Sequence, residues 1–326
     1  MDCIIGGRVM DKVLIIGDMH LHSKNYGAHK NYSEESLFYF REITNIAEEC
    51  GANYIIGTGD FTFGRFSNLE YRLEVDRLLH RHNELTNGNR YELRGNHDYA
   101  SYGMTEYEFY LEKGLLKKSE NLQIGKLNIS MIDYNQIGKV APIIEKDKIN
   151  IIIAHDYLRF NDDKGYSFGD YIALDNMEEW FGADYIICGH IHVPMVFEGN
   201  IRKGNKKRKV TVIYPGCPCR PSYREGRLYE TCFLPLIKVD NNSIDVELIE
   251  MDLWKLEDSF VATDIEEEVV EKQKEEFKVN ISDIVQKLND YEKGCINIEE
   301  MIMSLSDVDI RYRLKAVELL REGIEL

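Results

Sequence analysis

The sequence predicts an α/β fold, built as one large domain with an appended C-terminal region. Three observations predict it. Short β-branched apolar runs alternate with amphipathic helical stretches over the first two-thirds of the 326 residues. Polar blocks rich in Asp and His directly follow five of those runs. After about residue 250 the texture becomes charged and helix-prone. A chain of this length buries roughly 75% of the surface its unfolded form exposes, so a core needs no disulfide or metal staple.

Residues 13–17 (VLIIG) form a β-branched run ending in glycine and predict a buried strand. Ser33 is the expected N-cap of the first helix, with Glu34 and Glu35 in its first turn. Leu37, Phe40, Ile43 and Ala47 follow at helical spacing, and Gly51 closes the helix. Residues 54–57 (YIIG) are a second strand. Leu69, Leu73, Asp76 and Leu79 fit one face of a second helix, Asp76 being its polar lapse. Further strands are expected at 91–94, 127–132, 149–154, 185–188, 210–214 and 243–249. Gly204-Asn205 is the expected turn of a hairpin. Beyond this, 281–288, 298–305 and 310–320 carry apolar residues three and four apart, so these short helices need a partner surface.

Net charge is −17, of which −10 falls in residues 251–326. Such a chain repels polyanions at long range, which argues against a stand-alone, tight nucleic-acid binder. It does not exclude a phosphoester substrate, because bound cations reverse the local field. The seven cysteines are scattered, odd in number and without a CxxC pair. A disulfide framework is not expected, and a reducing, cytoplasmic setting fits. No apolar run approaches the ~20 residues that span a bilayer, and the first residues lack a secretory pattern.

The five polar blocks carry the chemistry. Asp18-Met19-His20 follows the first strand and Gly59-Asp60 the second. Gly95-Asn96-His97-Asp98 follows the third. His155 follows 151–154, and Gly189-His190-Ile191-His192 follows 185–188. In open α/β sheets ligands bind at strand C-termini. A single Asp-x-His is most often a surface loop, but five of the nine histidines falling in order at strand ends is not a chance arrangement. Asp18, His20, Asp60, Asn96, His155, His190 and His192 offer nitrogen and oxygen ligands suited to manganese, zinc or iron rather than calcium. Seven ligands exceed one tetrahedral ion and suit two, with a carboxylate shared between them. His97 is extra to that set and suits a general acid, with Asp98 expected to orient or acidify it. His22, His29, His80 and His82 are expected to be ordinary polar histidines.

These blocks resemble the calcineurin-like metallophosphoesterase superfamily, whose ordered motifs are Asp-x-His, Gly-Asp, Gly-Asn-His-Asp/Glu, His and Gly-His-x-His. The resemblance implies a four-layer αββα sandwich with a two-metal site at the strand ends. It implies Asp18, His20 and His192 on one ion, Asn96, His155 and His190 on the other, and Asp60 bridging. Manganese is favoured, with iron, zinc or magnesium as alternatives.

Within the superfamily, the Asp-Arg-Gly sequence of phosphoprotein phosphatases is absent after Asp60, where Phe61-Thr62-Phe63-Gly64 stands. Residues 189–194 (GHIHVP) and 214–222 (YPGCPCRPS) are similar to the SbcD-type DNA repair nucleases and their phage recombination-endonuclease relatives, with Cys217 in place of a serine. This likeness implies a nuclease domain over 1–232, a small β capping region over 233–263 and a helical tail over 264–326. It implies DNA as substrate and docking of the tail on a coiled-coil ATPase of the SbcC type; a homodimer is also compatible. A second Asp three residues after Asp60, usual in that group, is replaced by Phe63. Arg202, Lys203, Lys206, Lys207, Arg208 and Lys209 crowd the predicted hairpin and, with Arg220, are the expected substrate contacts, forming a phosphate clamp beside the site. The alternatives are a phosphodiesterase for cyclic or linear nucleotides and a scaffold without turnover. The intact His97-Asp98 pair argues against the scaffold.

Overall fold

Strand β1 (Asp11–Ile16) takes in the first apolar run, and its side chains from Val13 to Ile16 are all buried. Alternate residues of a strand face opposite ways, so a strand buried on both faces lies between two other layers. The computed structural model describes residues 10–25, 28–99, 103–161, 171–240 and 243–261. Chain order continues with α1 (Tyr32–Cys50), β2 (Tyr54–Gly57), α2 (Leu69–Leu85), β3 (Arg90–Glu92) and α3 (Glu106–Glu112). Then come β4 (Asn121–Ile124), β5 (Leu127–Ile132), β6 (Ile149–His155), β7 (Leu158–Arg159), β8 (Ile172–Ala173) and β9 (Tyr185–Gly189). The hairpin β10 (Met195–Lys203) and β11 (Lys206–Tyr214), the short helix α4 (Tyr223–Gly226), β12 (Thr231–Val239), β13 (Ile244–Asp252) and α5 (Leu256–Ser259) complete it.

Two sheets result. One has the order β13-β12-β1-β2-β3 and the other β10-β11-β9-β6-β5-β4. Strands β1, β2 and β3 run parallel, as do β5, β6, β9 and β11; the outer strands pair antiparallel. Val13, Ile15 and Ile56 of the first sheet meet Ile129, Ile151, Ile153, Ile187 and Ile213 of the second in the central core. Leu14, Ile16 and Ile55 face outward onto Phe40, Ile43 and Ala47 of α1 and Val75 and Leu79 of α2. On the far side, Ile152, Ile186 and Val212 pack with Leu174 and Trp180. The layers are those of the expected αββα sandwich. The fourth is thin, made among the described residues of the β7-β8 ribbon and two 3-10 turns, Leu174–Asn176 and Glu178–Trp180.

Several local expectations move. Helix α1 is capped by Asn31, whose side chain accepts from Glu34 N, while Ser33 sits inside the first turn and donates to Asn31 Oδ1. Gly51 closes α1 with φ 64°, as expected of a left-handed C-cap. The buried stripe of α2 is Tyr71, Val75, Leu79 and His82, whereas Leu69 and Leu73 are exposed. Gly204-Asn205 does turn the β10-β11 hairpin. The expected boundary at 232/233 falls inside β12, which pairs with β1 and with β13, so both strands lie in the first sheet rather than in a separate cap. The tail at 264–326 and residues 1–9 lie outside the described residues. Cys50, Cys188, Cys217, Cys219 and Cys232 are free thiols. Among the described residues, no helix is long and apolar enough to cross a membrane.

Candidate metal centre

The parallel strands deliver all five blocks to one pole. Asp18 and His20 leave the end of β1, Asp60 the end of β2, and Asn96 and His97 follow β3 in the first sheet; His155 ends β6, and His190 and His192 follow β9 in the second. Asp18 and His20 converge by a turn rather than by continuing β1. His20, Asp60 and His190 all have left-handed backbones, with φ of 47°, 51° and 82°. Such conformations cost non-glycine residues about 1–3 kcal/mol each and persist only where the surroundings hold them. Here His20 N donates to Asp60 O at 2.8 Å, His190 N to Asp18 Oδ2 at 2.7 Å and His97 N to Asp60 Oδ1 at 2.7 Å. Two block glycines are required by close approach. A Cβ on Gly95 would lie 2.1 Å from Asp60 Oδ1, and one on Gly189 would lie 2.4 Å from Asp18 Oδ1.

The donor atoms form two groups joined by Asp60. Ligand atoms of Asp18, His20, Asp60 and His192 all lie within 4.8 Å of one another. In the second group, Asn96 Oδ1 is 3.0 Å from His155 Nε2 and 2.9 Å from His190 Nδ1. Asp60 Oδ2 faces both, 3.6 Å from His20 Nε2 and 3.3 Å from His155 Nε2. That oxygen is buried without a hydrogen-bond partner among the described residues, and His20 Nε2 meets His192 Nε2 at 3.0 Å. An orphaned carboxylate oxygen beside converging imidazole nitrogens is the chemistry of a cation site. The residues present therefore fit a metal pair: Asp18, His20 and His192 could hold one ion, Asn96, His155 and His190 the other, and Asp60 both.

Burial, set against the neighbouring charges, determines the charge states. It pushes Asp18 up to about 6, against the opposing pull of His155. Burial also works to raise Asp60, but His155 and His20 outweigh it and hold Asp60 well below the usual carboxylate range. His155 shows the converse: burial opposes its charge, yet Asp60 and Asp18 lift it to about 10. Burial holds His20 well below its ordinary value and brings His190 down to about 4, leaving both imidazoles neutral at pH 7.

His97 stands at the rim, half-buried, its ring 4.9 Å from that of His20 and 4.7 Å from that of Phe63. Burial lowers its pKa below the ordinary imidazole value. Asp98 does not orient it. The Asp98 carboxylate is fully buried and accepts from Phe61 N, Thr62 N, Thr62 Oγ1 and Gly95 N, tying the loop after β2 to the loop after β3. Arg220 is also no substrate contact: it is 1% exposed and donates to Trp254 O and Ser259 Oγ inside the fold.

The basic hairpin is not beside the site. Ile213 pairs with Ile187 and Thr211 with Tyr185 in parallel register, so Lys206 lies five residues before the first of those pairs. At ~3.3 Å per residue the tip is about 30 Å from the strand ends that carry the histidines. Arg202, Lys203, Lys206 and Lys207 are exposed there. Arg208 pairs with Asp184 at 2.6 Å and Lys209 with Glu198 at 2.6 Å.

Three residues at the site were not singled out by sequence. Thr58 donates to Asp18 Oδ1 at 3.2 Å and its carbonyl lies 2.9 Å from His155 Nδ1; standing one residue before Gly59-Asp60, it was within reach of motif reasoning. Tyr134 lies against the rings of His155 and His190. Glu225 meets His192 Nδ1 at 2.9 Å, with no local signal to mark it. His22 instead bonds Lys24 O.

A family model for calcineurin-like phosphoesterases matches residues 11–194, from β1 through the last histidine block. The chain belongs to that family. As a calcineurin-like phosphoesterase it is a metal-dependent hydrolase by family, and Asp18, His20, Asp60 and His192 form a cluster that could hold a metal ion. Among solved structures, this phosphoesterase is similar to vacuolar protein sorting 29 from Cryptosporidium parvum. The two share 20% identity over 74% of this chain and 98% of that one, with a TM-score of 0.33. No curated protein matches it by sequence.

Proposed function

We propose that the chain is a two-ion phosphodiesterase of the SbcD nuclease type, cleaving DNA. The observation that supports this reading is where residues 214–222 run, the segment that resembles those nucleases. Cys217 N donates to His192 O at 2.9 Å, Tyr32 OH bridges His20 O and Cys219 O, and a Cβ on Gly216 would lie 2.9 Å from His192 O. The branch-like segment is thus part of the wall of the site.

Two divalent ions, manganese first among them, would supply the charge that acidifies water and neutralises phosphoryl oxygens. The chain's own groups do the rest. Asp18, Asp60, Asn96 and the four imidazoles fix positions through strand ends held by backbone hydrogen bonds, so little reorganisation is needed during reaction. His97, at the rim, would pass a proton to the departing oxygen from its imidazolium form, which burial makes a stronger acid. The partner in this reading is an SbcC-type ATPase that supplies the cationic surface the acidic chain lacks.

A specific observation favours a second reading, a phosphodiesterase for small nucleotides: the exposed lysines stand about 30 Å from the strand ends, too far to clamp a backbone there. The test is hydrolysis of linear duplex DNA, single-stranded DNA, a cyclic nucleotide and an aryl phosphodiester by the full chain with manganese, with and without the ATPase. DNA cleavage supports the nuclease reading. Turnover of the small esters with no DNA cleavage under either condition rejects it.

A further inference from the structure

Glu225 lies on the four-residue helix α4, outside the five blocks of histidines and carboxylates. Its Oε1 is 2.9 Å from His192 Nδ1. The other ring nitrogen of His192 faces inward, 3.0 Å from His20 Nε2 and 3.7 Å from Asp18 Oδ2. A neutral imidazole with a carboxylate against Nδ1 keeps its proton there and presents the Nε2 lone pair inward. Glu225 is itself held: its backbone N–H donates to Ser222 Oγ at 3.2 Å. The loop beneath is tied as well, with Cys217 N on His192 O at 2.9 Å and Tyr229 OH on Cys217 O at 3.1 Å.

The other imidazoles are backed differently. His155 Nδ1 lies against the Thr58 carbonyl at 2.9 Å. His20 Nδ1 is buried with no hydrogen-bond partner among the described residues. His190 turns Nδ1 itself inward, toward Asn96 Oδ1 at 2.9 Å. A carboxylate behind an imidazole makes it a stronger base, and so a stronger ligand, than a carbonyl does.

We infer that Glu225 is a positioning residue that fixes His192 with Nε2 toward the ion shared with Asp18 and His20, and that this makes that ion the more tightly held of the two. The inference rests on the two-ion reading of the site but not on the identity of the substrate.

The experiment is a manganese titration of the metal-free full chain, followed by calorimetry with elemental analysis of the bound ion. Wild type is compared with Glu225→Gln, Glu225→Ala, His192→Ala and the double variant Glu225→Gln/His192→Ala. Wild type should bind two ions in two affinity classes. Glu225→Gln and Glu225→Ala should weaken the tighter class about 10- to 100-fold and leave the weaker class unchanged. Because Glu225 acts through His192, adding Glu225→Gln to His192→Ala should cause no further loss. Thermal melts of the metal-free variants that match wild type exclude a general folding defect. Unchanged titrations in both Glu225 variants, or equal weakening of both classes, overturn the inference. A wild-type chain that binds no ion overturns the two-ion reading itself, and this inference with it.

Discussion

Removing the charge of Asp60 while keeping its shape tests the centre most directly. Asp60 Oδ2 lies 3.3 Å from His155 Nε2. At an effective dielectric constant near 20, a charge pair at that distance is worth about 5 kcal/mol. Lifting an imidazole from 6.5 to about 10, as at His155, corresponds to about 5 kcal/mol as well. Burial opposes that lift, so the carboxylates outweigh it together: Asp60, and Asp18 at 3.9 Å from His155 Nδ1. In metal-free Asp60→Asn, His155 should therefore titrate well below about 10, followed through its ring resonances by NMR. In the two-ion reading the same oxygen would serve both ions, so the variant should retain at most one. Loss of about 4 kcal/mol of transition-state stabilisation would lower kcat/KM on an aryl phosphodiester about 1000-fold. A variant that keeps two ions at wild-type affinity, with His155 still protonated at pH 8, would refute the bridging position of Asp60.

Metal binding should release protons at pH 7.5, because His155 must be neutral to act as a ligand and its folded pKa is raised to about 10. Affinity should rise with pH up to that value, and calorimetry in two buffers of different ionisation enthalpy should show at least one proton released; zero would contradict this. His97→Ala should keep both ions and lose about 100- to 10,000-fold in turnover of esters with poor leaving groups, yet lose far less on aryl esters; equal losses on both would remove the general-acid role. Asp98→Asn should lower the thermal midpoint, since an amide nitrogen would face two of the four donors and leave buried groups unpaired at about 1–3 kcal/mol each. A midpoint unchanged from wild type, with only the pH profile altered, would mean that Asp98 acts on His97 after all. His82 is buried in α2 with its pKa held well below the ordinary value by burial and Arg90. It stabilises the fold above pH 6.5, and that contribution is lost as pH falls below it; His82→Gln should flatten this acid limb of the stability curve, measured by urea unfolding.

What could be read from sequence divides by the range of the cause. Strands such as β1 and β9 were legible because burial on both faces requires unbroken apolar runs. The ligand blocks were legible because each sits within five residues of such a run. Contacts that depend on pairing were not. Strand β12 contains Pro235, which reads against a central strand, but the register with β1 stops at Leu236, so the missing N–H breaks no ladder bond on that side. On α2, Leu69 and Leu73 look like a core face; the face chosen is the one that meets α1, where Tyr71 bonds Ser36 and His82 bonds Thr44 at 2.9 Å.

The basic hairpin carries the same lesson into function. Its composition is a fair sign of affinity for phosphate, and its turn chemistry is local and was read correctly. Where it points is decided by β11 pairing parallel to β9, a contact between residues 26 apart in sequence. A clamp inferred from charge alone thus assumed a direction that only the register fixes. Asp98 failed in the same way, since adjacency to His97 in sequence said nothing of the three N–H groups, two of them from residues 61 and 62, that claim its carboxylate. For a site assembled from five strand ends, local motifs identify the ligands, while the groups that orient those ligands come from whichever distant segment the sheet order brings alongside.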